Sequence, residues 1–170
     1  MRSAADFAWL PDAVEGAVRL ARSGYVLAVV SNQRGVARGL VTTSVLAEIE
    51  EKIQEELALH GVRIEAFRYC PHDTNARCAC RKPKPGMLVD LARELGVDLA
   101  RSWMIGDSED DVLAGQAAGC RTALVGSAAS GARPDLEARS LLEASAEITR
   151  ARAASPGRPA TSAPRSPRTP

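Results

Sequence analysis

The sequence predicts an α/β fold, a Rossmann-like and mainly parallel sheet with helices on both faces, and three observations carry that prediction. Short continuous aliphatic runs, the mark of strands buried on both faces, alternate with segments whose apolar residues recur every three or four positions. Glycine or proline stands at most of the junctions between them. Only 4% of residues are aromatic although 45% are hydrophobic, so Ala, Val, Leu and Ile must build the core, as suits a sheet covered on two sides.

Asp12, followed by Glu15, reads as a capping-box-like start for a helix that turns Val14, Val18 and Ala21 inward and stops near Gly24. Tyr25 to Val30 is a buried strand that ends in the polar loop Ser31-Asn-Gln-Arg-Gly35. A helix begins near Thr43 or Ser44, carries Leu46, Ile49, Ile53 and Leu57 along one face, and ends before Gly61. Ile64 to Tyr69 is a short strand. Pro85 opens a helix that Gly96 terminates. Ser102 to Ile105 is a strand leading into Gly106-Asp107-Ser-Glu-Asp-Asp111, and Val112 to Ala118 is a helix stopped at Gly119. Thr122 to Val125 is the last clear strand. Alternation of this kind implies right-handed βαβ crossovers and gathers the polar loops at the carboxyl ends of the strands, where functional residues are expected.

The chain's 170 residues suit one domain, and no repeat argues for a solenoid. Its apolar stretches fall far short of the roughly 20 residues that span a bilayer, and no apolar signal-peptide core opens the chain, so a cytoplasmic protein without a membrane role is expected. Net charge is +1, but residues 150–170 hold five arginines and no acid, which leaves 17 basic residues against 21 acidic ones in the body. An acidic body speaks against nucleic-acid binding. Residues 1–149 are therefore read as the domain and 150–170, rich in Pro, Ser, Ala and Arg, as a disordered tail.

Three loops carry chemistry. Cys70-Pro-His72, a gap, and Cys78-Ala-Cys80 place three thiolates and an imidazole within eleven residues. That is a complete tetrahedral set for Zn²⁺ with no position open for a catalytic water, so a structural staple is expected, the plain alternative being reduced surface thiols. Arg81-Lys82-Pro-Lys84 follows at once, and a lysine fixed between a stapled loop and a helix start can neutralise a phosphoryl group; a merely basic surface loop is the other reading. Behind a strand, Asp107 offers a carboxylate suited to Mg²⁺, unless Asp107 or Ser108 simply caps the following helix. Ser31 and Asn32 offer a hydroxyl and an amide able to bond phosphate oxygens, and as an isolated pair read equally well as a turn.

In order, Val30-Ser-Asn-Gln-Arg-Gly-Val-Ala-Arg-Gly39, Tyr69-Cys-Pro-His72, Cys78-Ala-Cys-Arg-Lys-Pro-Lys-Pro-Gly-Met87 and Met104-Ile-Gly-Asp107 resemble the heptose 1,7-bisphosphate phosphatases of the haloacid dehalogenase (HAD) superfamily. Histidinol phosphatases share the metal loop and are the nearest alternative. The resemblance implies a monomeric phosphatase acting on a small phosphorylated sugar, most plausibly at the 7-phosphate of the heptose bisphosphate, with Mg²⁺ and Zn²⁺ as cofactors. By it Ser31 and Lys82 stabilise the transferring phosphoryl, Asn32, Gln33, Arg34, Arg81 and Ser108 face substrate, Asp107 holds Mg²⁺, and Cys70, His72, Cys78 and Cys80 hold Zn²⁺. Arg34 stands where the family more often has a small residue, and Ser108 where it usually has lysine.

The family's nucleophile and general acid lie in an Asp-x-Asp-Gly motif ending an apolar strand, and these 170 residues contain no such motif. Asp6 and Asp12 follow no buried strand. The resemblance places the lacking strand at the centre of the sheet, between the Tyr25–Val30 and Ser102–Ile105 strands, where its loss would expose two apolar edges. Either the true start lies upstream of Met1 and the whole protein is an ordinary phosphatase, or the chain is an inactive, zinc-stabilised phosphosugar-binding module.

Overall fold

The computed structural model describes residues 3–126 and 131–154. After a short 3-10 turn at Ala4–Asp6, the elements are α1 (Ala13–Arg22), β1 (Ala28–Asn32), α2 (Arg34–Ala37), α3 (Thr43–Ala58), β2 (Ala66–Cys70), α4 (Gly86–Leu95), β3 (Trp103–Gly106), α5 (Glu109–Ala118), β4 (Arg121–Val125), β5 (Leu136–Ala138) and α6 (Leu141–Ala154). Every strand pair is parallel, as the alternation requires.

The strands form two sheets. In one, β1 pairs with β2 from Ala28 opposite Ala66 to Asn32 opposite Cys70; in the other the order is β3-β4-β5. Among the described residues β1 and β3 do not pair, so each keeps one edge without a strand neighbour. Expected as a strand buried on both faces, β1 is instead only half covered, with Ala28 exposed and Val29 to Asn32 intermediate. It also starts three residues late, because pairing begins only where β2 runs alongside.

Local chemistry fixes the element ends. Thr42 caps α3, its Oγ1 accepting from the Val45 N–H at 3.3 Å, and left-handed glycines stop α4 and α5 at Gly96 (φ 64°) and Gly119 (φ 81°). Asp12 departs from expectation: it takes φ 62° and makes no side-chain cap bond, since the turn after Pro11 uses the left-handed conformation that Asp tolerates. The core joins Ala17 and Val18 of α1 to Leu57, Val62 and Ile64, with Trp9, Ile53 and Phe67 packed around them.

Three elements escaped the sequence reading: α2, a single turn overlapping the expected polar loop, and then β5 and α6. The three residues of β5 are too few to show a period, and α6 is built largely from alanine, with Ala144, Ser145 and Ile148 its buried residues. The helix overrides the expected tail boundary: residues 150–154 continue it, with Arg150 paired to Glu147 at 2.8 Å and Arg152 lying 4.6 Å over the Tyr25 ring. The rest of the expected tail, residues 155–170, lies outside the described residues. Among the described residues no helix is long and apolar enough to cross a membrane.

Candidate active site and metal loop

The carboxyl ends of β1 and β3 are joined through one side chain. Lys82 Nζ donates to the Val30 carbonyl at 3.2 Å on the β1 side and to Asp111 Oδ1 on the α5 side. Both partners are well covered, the lysine side chain being 12% and the aspartate 5% exposed. A covered ammonium needs a fixed anion, and Asp111 supplies it. Its second oxygen accepts from Ser108 Oγ at 2.7 Å and from the Ser108 N–H at 3.2 Å, which closes the first turn of α5.

Backbone geometry makes room for this. A Cβ on Gly106 would lie 2.3 Å from the Asp111 carboxyl carbon, so only glycine lets the carboxylate fold back against the end of β3. From the other side the Asn32 amide holds the lysine's backbone: its Nδ2 donates to the Lys82 carbonyl and its Oδ1 accepts the Lys82 N–H, each at 3.0 Å. Gln33 Nε2 donates to Ser31 Oγ at 3.0 Å, which leaves the Ser31 hydroxyl proton free to turn toward an anion.

The expected residues are thus divided. Ser31 and Lys82 are brought together at the β1 terminus. Asn32, expected to face substrate, spends its amide on the Lys82 backbone, because that loop needs both bonds to keep the ammonium in place. Ser108 likewise serves Asp111 and the helix start. Arg81 is half-buried and donates to the His72 carbonyl at 3.3 Å; Arg34 is exposed at the start of α2. Asp107 follows the last residue of β3 as an exposed carboxylate with no hydrogen bond or ion pair to the described residues. One free carboxylate at a strand end fits Mg²⁺, which binds through one or two carboxylates and keeps its waters. Asp111 is the residue the sequence reading missed, although Ser108-x-x-Asp111 before an apolar run carries the capping-box signal.

The metal loop leaves β2. Cys70, at its last position, His72, Cys78 and Cys80 bring one ligand atom each within 4.8 Å of one another. The separations are 3.8 Å for Cys70 Sγ to Cys78 Sγ, 3.6 Å for Cys70 Sγ to His72 Nδ1 and 3.3 Å for Cys80 Sγ to His72 Nδ1. A tetrahedral zinc requires edges of about 3.8 Å between sulfurs and about 3.6 Å from sulfur to nitrogen, so the set fits that ion with Nδ1 as the imidazole ligand. Crowding shows in the thiols: burial, with hydrogen bonds and negative charge from Cys70 and Cys78, pushes Cys80 up to about 12. Burial opposes ionisation of Cys78 too, but the Arg81 N–H and the neighbouring thiols outweigh it and bring that group below its ordinary range. A divalent cation is what allows three such thiols to ionise together. Gly86 seats the loop, since a Cβ there would meet the Ala79 carbonyl oxygen at 2.4 Å.

Two open surface grooves flank Trp9, one of about 440 Å³ against α3 and one of about 620 Å³ between α1 and α3, and neither is lined by any of these residues.

Residues 79–148 match the HAD-hydrolase-like family model. The D-glycero-β-D-manno-heptose-1,7-bisphosphate 7-phosphatase of Pseudomonas aeruginosa is 40% identical over 116 residues, covering 68% of this chain and 65% of the relative. The D-glycero-α-D-manno-heptose-1,7-bisphosphate 7-phosphatase of Mycobacterium tuberculosis is 35% identical over 158 residues, covering 89% and 83%. Among solved structures, the D,D-heptose 1,7-bisphosphate phosphatase of B. bronchiseptica, complexed with magnesium and phosphate, superposes with a TM-score of 0.78 at 33% identity over 88% of each chain. The matched region thus spans 62–66% of the length of the first five curated relatives.

Proposed function

Since the chain belongs to the heptose-bisphosphate phosphatase family of HAD-like hydrolases, we propose that the complete protein hydrolyses the 7-phosphate of D-glycero-D-manno-heptose 1,7-bisphosphate. The observation that carries this reading is Lys82, whose ammonium is held by Asp111 and by the carbonyl of Val30, the residue before Ser31 on β1. A fixed cation and an O–H donor at the carboxyl ends of parallel strands are what a transferring phosphoryl group needs, because its charge is spread over its outer oxygens.

The attacking group comes from outside the described residues. An aspartate on a strand seated between the free edges of β1 and β3 would point into the same junction. Its carboxylate oxygen attacks phosphorus, the sugar oxygen leaves and takes a proton, and water then cleaves the acyl phosphate to release inorganic phosphate. Through the attack Lys82 and Ser31 hold the phosphoryl oxygens, while Arg34 and Arg81 recognise the rest of the sugar phosphate. Asp107 would hold Mg²⁺, which when bound neutralises phosphate charge. Cys70, His72, Cys78 and Cys80 would hold Zn²⁺ as a staple, and a thiol-based site suits the reducing cytoplasm.

The test compares the 170-residue chain with the protein extended through its in-frame upstream codons. Phosphate release from the heptose bisphosphate is expected only from the extended form, and only after Mg²⁺ is added. Turnover by the 170-residue chain would refute the placing of the nucleophile. Cleavage of histidinol phosphate in preference to the heptose bisphosphate would overturn the substrate.

A further inference from the structure

The turn that follows β1 and the metal loop that follows β2 are fastened together at points lying against the metal ligands. Gln33 N–H donates to the carbonyl of Cys70, itself a ligand, at 2.8 Å, and Ala37 N–H donates to the Pro71 carbonyl at 3.1 Å. Asp73, the residue after His72, receives Arg38 in a two-pronged pair, Nε to Oδ2 at 2.9 Å and Nη2 to Oδ1 at 3.1 Å. Asp73 is itself oriented by the Thr74 N–H, which donates to Oδ1 at 2.7 Å. Each acceptor therefore sits on or beside Cys70 and His72, and what fixes those two side chains fixes the acceptors.

Within the turn the Leu40 and Val41 N–H groups donate to the Gly35 carbonyl at 2.8 and 3.2 Å, and the bonds above are what fix it against the loop after β2. The turn's helix, α2, has four residues and no buried one, below the length at which a helix is stable alone. The Arg38 and Asp73 side chains are 47% and 37% exposed, so the pair adds little to global stability. What a planar two-pronged pair does add is direction, because both N–H bonds must be aligned at once.

We propose that Arg38 and Asp73 are positioning residues that transmit the geometry of the Cys70–His72–Cys78–Cys80 site to the Gln33–Arg38 turn, making the order of that turn depend on metal loading. The link from the turn to substrate rests on the phosphatase reading above; the link from metal to turn does not. Loss of metal frees Cys70 and His72, the Pro71 carbonyl and Asp73 move with them, and Gln33 loses its bearing on the Ser31 hydroxyl.

Amide hydrogen exchange on the whole 170-residue chain tests this without substrate. With one equivalent of Zn²⁺, Asp73→Asn is expected to speed exchange of the 37–40 amides about two- to fivefold, the scale of one surface ion pair. Peptides of α5 should be unchanged and zinc still bound at one equivalent. The exchanged pair Arg38→Asp/Asp73→Arg should recover most of the protection. In the wild type, chelation should speed the same amides by about tenfold or more, further than it affects α5. Equal exchange in wild type and Asp73→Asn, both zinc-loaded, overturns the proposal whatever chelation does. In the extended enzyme Asp73→Asn should raise KM with kcat nearly constant. A wrong substrate would spoil that kinetic result and leave the exchange result standing.

Discussion

Lys82 ties β1 to the first turn of α5, and its environment is asymmetric in a way that can be measured. Asp111 is 3% exposed and receives Lys82 on one oxygen and Ser108 on the other. Removing one partner of a covered pair leaves the other charged and unsolvated, so Lys82→Met should cost about 3–5 kcal/mol in urea unfolding. The double variant Lys82→Met/Asp111→Asn should regain most of that loss, because no buried charge is then left without its partner. If the double variant is no more stable than the single one, the charge pair is not what stabilises this junction. The sequence singled out Lys82 from its position between the Cys/His cluster and a helix start. It could not name Asp111 as the partner, since residues 29 apart meet only when β3 and the metal loop have been packed side by side.

At the scale of elements, the edge strand β5 is held by an aspartate rather than by length. Asp135 Oδ2 accepts from the Thr122 N–H at 2.7 Å and from Thr122 Oγ1 at 3.1 Å, and Thr122 is fully buried. Three residues of parallel ladder could not order this segment unaided. Asp135→Ala strands a buried donor pair and should lower stability by about 1–3 kcal/mol, read as a lower denaturant midpoint at unchanged slope. A shift within error would mean that water replaces the carboxylate. This element was invisible in the sequence because strand periodicity needs more than three positions, whereas α3, α4 and α5 announced themselves through apolar spacing and their glycine stops.

For the whole molecule, an ion held by the four-ligand loop would be a contribution that a chelator can withdraw. The loop leaves β2, seats on Gly86 at the start of α4, and ties the β1 turn through Arg38. At free zinc about a thousandfold above its dissociation constant the bound ion adds about 4 kcal/mol, which for a chain of this size corresponds to a fall in Tm of about 8–16 °C on chelation. A chelator that leaves Tm unchanged would show that the four ligands hold no ion in solution. The split sheet belongs to this scale too. Its two parallel pieces, not paired to each other among the described residues, are joined by α1 packed on α6 and by Lys82, and a strand seated between β1 and β3 should raise stability.

By itself the sequence determined the α/β class, the parallel order of the main strands, the crowding of Cys70, His72, Cys78 and Cys80 in one loop, and the positions of Ser31 and Asp107 at strand ends and of Lys82 between that loop and a helix start. All of these follow from local pattern: apolar runs, glycine stops and ligand residues crowded within a few positions. Only the tertiary structure decided what the polar side chains do once they meet. It bonded the Asn32 amide to the Lys82 backbone, joined Lys82 to Asp111 and Arg38 to Asp73, carried α6 past residue 150, and among the described residues left β1 and β3 without pairing to each other. The physical reason is distance along the chain: a hydrogen bond between residues 29 to 50 apart depends on how strands and helices pack, and no local period records it.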